Sequence, residues 1–75
     1  MSSKKKPTLL ETFASNIRSL RAKKKLSQKT VADKAKVSVS YISMLERGQR
    51  SPPLDTLAVL AKVYAVTPES LLKAA

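Results

Sequence analysis

Apolar residues recur along this chain at intervals of three and four, and no stretch alternates apolar with polar as a half-buried strand would. Leu10, Phe13, Ile17 and Leu20 mark one face of a first helix that follows Thr8 and runs to about Lys24. Val31, Ala32 and Ala35 face inward from a second, Gln28 to about Ala35, and Ile42 and Leu45 from a third, Val39 to about Arg47. Leu54, Leu57, Leu60, Ala61 and Tyr64 form the buried stripe of a fourth, and Leu71 and Leu72 sit on a short fifth. The start signals agree. Thr8-Leu9-Leu10-Glu11 is a capping box: the threonine hydroxyl accepts from the glutamate amide, and the carboxylate reaches back to the threonine amide. Ser27, Ser38 and Ser51 are placed to cap the next three helices. Pro52 and Pro53 suit a first turn, whose amides have no intrahelical partner. Thr67-Pro68-Glu69 repeats the sequence of cap, proline and acid. Gly48 stops the third helix, since it enters a left-handed conformation without steric cost. The expected fold is all-α, five short helices in a compact bundle over residues 8–75, preceded by a basic arm over residues 1–7.

The second and third helices carry the pattern of a helix-turn-helix. With Gln28 as first position, the fourth, eighth, tenth, fifteenth and eighteenth must be apolar to hold the two helices at their angle; they are Val31, Ala35, Val37, Ile42 and Leu45. The fifth must be small where the helices nearly touch, and it is Ala32. The outward positions are Ser38, Val39, Ser40, Ser43, Met44 and Arg47.

Charge sharpens that picture. Fifteen Lys and Arg oppose five Asp and Glu, a net charge of +10 over 75 residues. Such one-sided repulsion suits a polyanionic partner, because phosphate contacts release condensed counterions; the alternative is a merely solubilising surface. Catalysis is poorly supported. There is no histidine or cysteine, and Glu11, Asp33, Glu46, Asp55 and Glu69 have no ligand-like spacing, so neither metal nor cofactor is expected. A single glycine leaves no glycine-rich phosphate loop, and no small-molecule ligand is evident. No apolar run approaches membrane-spanning length and no signal peptide is visible, so a cytoplasmic, nucleoid-associated protein is expected.

NIRSLRAKKKLSQ, the Val31-Ala32 pair, VSVSYISMLERG, PPLDTLAVLAKVY and TPESLL, in that order, resemble the lambda-repressor-like helix-turn-helix family, especially its XRE-like branch of small bacterial and phage regulators. The resemblance spans roughly Phe13 to Leu72. It implies sequence-specific binding of double-stranded DNA as a homodimer, on a palindromic site, by a repressor or autoregulator. Within it, Val39, Ser40, Ser43 and Met44 face base edges in the major groove. The SYISMLERGQR run resembles restriction-modification controller proteins, whose arginine matching Arg50 reaches a base. Phosphate contacts fall to Gln28, Lys29, Lys36, Ser38, Tyr41 and Arg47, and Arg21–Glu46 is a structural ion pair tying the first helix to the third.

Two features depart from or extend the family pattern. Glycine is common where Lys25, Lys36 and Ala65 stand, so either those turns differ or the fold accepts left-handed non-glycine residues at roughly 1 kcal/mol each. The start, MSSKKKP, resembles the lysine arm of lambda repressor, with Lys4, Lys5 and Lys6 on phosphates; a generic polybasic tail fits the same residues. With no second domain in view, pairing is expected on the domain's own surface, at the fifth helix and the Val63–Val66 region through Val66, Leu71 and Leu72, unless these only close the core. The alternative function is an antitoxin or adaptor module that binds a protein, for which an exposed apolar patch would speak. RNA binding is weaker still, since Tyr41 and Tyr64 are too few for a stacking platform.

Overall fold

The computed structural model describes residues 6–74, and Lys4 and Lys5 of the expected arm lie outside them. Four α-helices follow one another: α1 Leu9–Lys23, α2 Gln28–Ala35, α3 Val39–Glu46 and α4 Leu54–Val63. A 3₁₀ turn, Glu69–Leu72, takes the place of the expected fifth helix. Its amides close i→i−3 bonds, Ser70 to Thr67 and Leu71 to Pro68, each at 3.1 Å, the form that short pieces adopt. Among the described residues there is no strand.

Local chemistry sets the boundaries. Thr8 and Glu11 close a reciprocal capping box, with the Thr8 amide donating to Glu11 Oε1 at 2.8 Å and the Glu11 amide to Thr8 Oγ1 at 3.1 Å. Ser27 accepts from the Thr30 amide at 3.0 Å and Ser38 from the Tyr41 amide at 3.1 Å. Ser51 does not cap α4. Pro53 is the N-cap and supplies no side-chain bond, because two prolines push the helix start beyond the serine's reach.

All four helices end in the same way. The amide just after the turn returns five residues to a carbonyl of the last turn: Leu26 to Arg21 at 3.0 Å, Val37 to Ala32 at 3.0 Å, Gln49 to Met44 at 2.9 Å and Val66 to Ala61 at 2.9 Å. This paired closure requires a left-handed residue at the turn. Those residues are Lys25 (φ 56°), Lys36 (φ 60°), Gly48 (φ 71°) and Ala65 (φ 58°). The fold therefore accepts the backbone strain at three non-glycine positions. After α1, α2 and α4 the residue that follows is apolar, Leu26, Val37 or Val66, and packs on the core. After α3 it is Gln49, which is exposed.

Phe13, Ile17, Val31, Ala32, Ile42, Leu45, Leu57, Leu60, Ala61, Tyr64 and Leu71 form one buried cluster. Leu71 is thus a core residue and not a free pairing surface. Leu54, expected in the buried stripe, is 81% exposed. It is the first residue of α4, where the stripe runs past the edge of the bundle. α1 packs on α3 and on the 3₁₀ turn, and α2 packs on α3 and α4. The contact with the 3₁₀ turn is fastened by Asn16, whose Nδ2 donates to the carbonyls of Leu71 at 2.8 Å and Lys73 at 2.9 Å.

Candidate nucleic-acid interface

α2 and α3 are joined by three residues, Lys36, Val37 and Ser38. The left-handed Lys36 turns the chain, Val37 anchors it on the core and Ser38 opens the next helix. Ile42, Leu45 and Glu46 of α3 are buried. Helical spacing then groups Val39, Ser40, Ser43, Met44 and Arg47 on the opposite side. Val39 is 42% exposed and Ser40 is exposed, while Ser43 and Met44 are half-buried. Arg47 caps the C-terminus of α3 and is exposed, as are Lys36, Ser38 and Arg50. Lys6 is exposed at the start of the described chain. Lys29 is also at the surface, paired with Asp33 at 3.2 Å, both ends largely solvated. Neither α2 nor α3 carries an acid in its first turn, whereas α4 carries Asp55. The positive ends of the first two are therefore left open to anions.

The back of α3 is held by a buried carboxylate. Glu46 is only 3% exposed. Arg21 meets it with two parallel bonds, Nε to Oε2 at 2.6 Å and Nη2 to Oε1 at 3.0 Å, and donates a third through Nη1 to the Leu26 carbonyl at 3.0 Å. The fork geometry is the strong form of the arginine–carboxylate pair, and the hydrogen bond to Glu46 holds the Arg21 guanidinium above its ordinary pKa. Gln28, which the resemblance puts on a phosphate, donates instead through Nε2 to Glu46 Oε1 at 3.0 Å. Arg18 donates through Nη1 to the Glu46 backbone carbonyl. α3 is therefore clamped from α1 by two arginines and from α2 by one amide.

Sequence reasoning missed Arg18 and Asn16 as bracing residues. Arg18 stands three residues before Arg21, the spacing that shares a helix face, and that was the available signal. Tyr64, fully buried behind the clamp, leaves its hydroxyl without a partner. Burial pushes its phenol up to about 12, reinforced by the charge of Glu46 and opposed by that of Arg21. No group of three or more acids able to hold a metal occurs among the described residues, and no described helix is long and apolar enough to cross a membrane.

On the surface, Leu9, Leu10, Phe13, Ser51, Pro52, Leu54, Leu57 and Leu72 line an open groove of about 360 Å³ without a single cation. Leu9 at its rim is 61% exposed.

The helix-turn-helix family profile matches residues 17–71. The chain belongs to the helix-turn-helix family. Over 57 residues it is 44% identical to the HTH-type transcriptional regulator DdrOP3 of Deinococcus deserti, covering 76% of this chain and 44% of that protein. The chain thus spans less than half the length of that relative. Among solved structures, the restriction-modification controller protein C.AhdI of Aeromonas hydrophila superposes with a TM-score of 0.79 at 37% identity, over 83% of this chain and 94% of that one. The controller protein C.Esp1396I, solved as a tetramer on its natural 35 base-pair operator, superposes with a TM-score of 0.78 at 26% identity, over 88% and 87% of the two chains. This helix-turn-helix chain is a module of the kind found in transcriptional regulators.

Proposed function

We propose that this helix-turn-helix chain is a sequence-specific double-stranded DNA-binding regulator, acting as a repressor or autoregulator on an inverted-repeat operator in the cytoplasm. The observation that carries the reading is the outer side of α3. Its small and apolar side chains stand clear of the core, cations stand at both ends, and Glu46 fastens the helix from behind. In this reading α3 enters the major groove. Val39 and Met44 meet thymine methyls, and Ser40 and Ser43 meet polar base edges. Lys29, Lys36, Ser38, Tyr41 and Arg47 set the register on phosphates. Gln28 reaches a phosphate only with the one amide hydrogen that its bond to Glu46 leaves free. Lys4, Lys5 and Lys6 add sequence-independent attraction.

One short helix reads too few base pairs for useful selectivity, so two copies bind half-sites about one helical turn apart. A molecule of charge +10 repels its own copies, and a cation-free apolar face is where that repulsion is weakest. The groove between Leu9, Leu54 and Leu72 meets that condition, whereas the hollow beside Val66 is lined by Lys23 and Lys73, so in this reading the copies pair at the former and the Val63–Val66 region comes second. The same patch supports a second reading, an adaptor or antitoxin that binds another protein there. Selection from a random duplex pool at moderate salt separates the two: an enriched inverted repeat supports the regulator, and an unenriched pool refutes it.

A further inference from the structure

The turn after α3 is the one whose closing residue, Gln49, is exposed; those after the other helices are half-buried. The amides of Gly48 and Gln49 return to Leu45 and Met44 at 3.1 and 2.9 Å, so the turn itself is fixed. Leaving it, the chain brings Arg50 back along α3. The guanidinium carbon lies 5.8 Å from the centroid of the Tyr41 ring, inside the roughly 6 Å over which a cation is drawn to an aromatic face. Tyr41 is half-buried and packed against the core, while Arg50 is exposed. An anchored ring thus holds a side chain that would otherwise sample many rotamers. Ordering it in advance reduces what binding must spend on it.

We infer that Tyr41 is the positioning residue for Arg50. Its ring is a shelf that presents the guanidinium fork just past the end of α3 and sets the base preference at the outer edge of each half-site. This rests on the DNA-reading function proposed above. A planar fork of this kind matches the two acceptors of a guanine edge, so the outer position is a guanine.

Three variants separate the ring from its hydroxyl. Tyr41→Phe keeps the face and removes only the hydroxyl, so any phosphate contact it loses weakens all sequences alike and leaves the base preference to the ring. Tyr41→Leu removes the face. Arg50→Ala removes the fork. Pool selection is expected to give an outer guanine with the wild type and with Tyr41→Phe. Tyr41→Leu and Arg50→Ala are each expected to lose that preference by about tenfold while the inner positions stay enriched, and the double variant to lose no more than either alone. In the free wild-type protein, the Arg50 Hδ resonances are expected upfield of those of Arg47 through the ring current. That readout needs neither DNA nor a folded leucine variant. An enriched wild-type pool whose outer preference survives Tyr41→Leu overturns the shelf alone, as does equal loss with Tyr41→Phe or an unshifted Arg50. A flat wild-type pool overturns the DNA reading and the shelf's role with it.

Discussion

Glu46 shows how much one residue in this chain is asked to hold. A buried carboxylate is costly unless every lone pair is met, and here α1 and α2 both send donors to it. Removing Arg21 would leave the charge inside with only the Gln28 amide. Arg21→Ala is therefore expected to cost about 3 kcal/mol in urea denaturation, toward the low side for a broken buried pair because its side chain keeps 26% exposure. The Lys29–Asp33 pair, with both side chains solvated, sets the contrast: Asp33→Ala should change stability by less than about 0.5 kcal/mol. Tyr64 presents the opposite case, a buried hydroxyl with no partner. Tyr64→Phe is expected to stabilise the fold by about 1 kcal/mol, since it deletes an unmet polar group and keeps the ring. The pH dependence follows from the raised phenol. Its neutral form is favoured in the fold, so its contribution is complete below the unfolded value near 10 and is lost as pH rises toward about 12. Denaturation midpoints across that window should fall more steeply for the wild type than for the Tyr64→Phe variant.

At the scale of elements, caps and stops were legible because each is a local bargain between one side chain and a few amides. Thr8, Ser27 and Ser38 do what their residue types dictate. Ser51 failed as a cap because two prolines intervene, and the start of α4 follows from backbone restriction and not from hydrogen bonding. Leu54 was misassigned for a related reason: periodicity gives a face but not where along the helix the core ends. The 3₁₀ turn had a helix's start signal, which marks where a helix opens and not which ladder follows. The site divides similarly. The outward positions of α3 follow from periodicity, whereas the inward bond of Gln28 depends on a carboxylate eighteen residues away that no local pattern reveals. The left-handed turns were legible only as a question, raised by lysine or alanine where glycine is usual, and the backbone answers it. Lys36→Gly should thus raise stability by about 1 kcal/mol. If Lys36 meets a phosphate, the same change weakens DNA binding and lowers its salt dependence by about one counterion. Thermal melts and salt titrations on the same preparation would read the two opposed effects. No gain in stability would mean that the lysine relieves the turn in another way.

For the whole molecule, the balance is between a charge that drives copies apart and the proposed function, which needs two of them. Deleting residues 1–6 removes three lysines, and the slope of log affinity against log salt should flatten by about 0.9 for each lysine that meets a phosphate. An unaltered slope would exclude the arm from the duplex. The same electrostatics makes pairing conditional. Without DNA, two +10 chains meet unfavourably except at low Debye length, so association should strengthen as salt is raised. DNA binding should weaken under the same change. A cation at the groove weakens pairing without touching α3. Leu54 is solvent-exposed in the single chain, so Leu54→Lys should leave folding within about 0.5 kcal/mol of the wild type. It should nonetheless shift sedimentation from dimer to monomer and reduce affinity for a two-half-site operator far more than for a single half-site. If Leu54→Lys pairs as well as the wild type, the groove is not the face on which the copies meet, and the half-buried Val66 edge becomes the surface to mutate next.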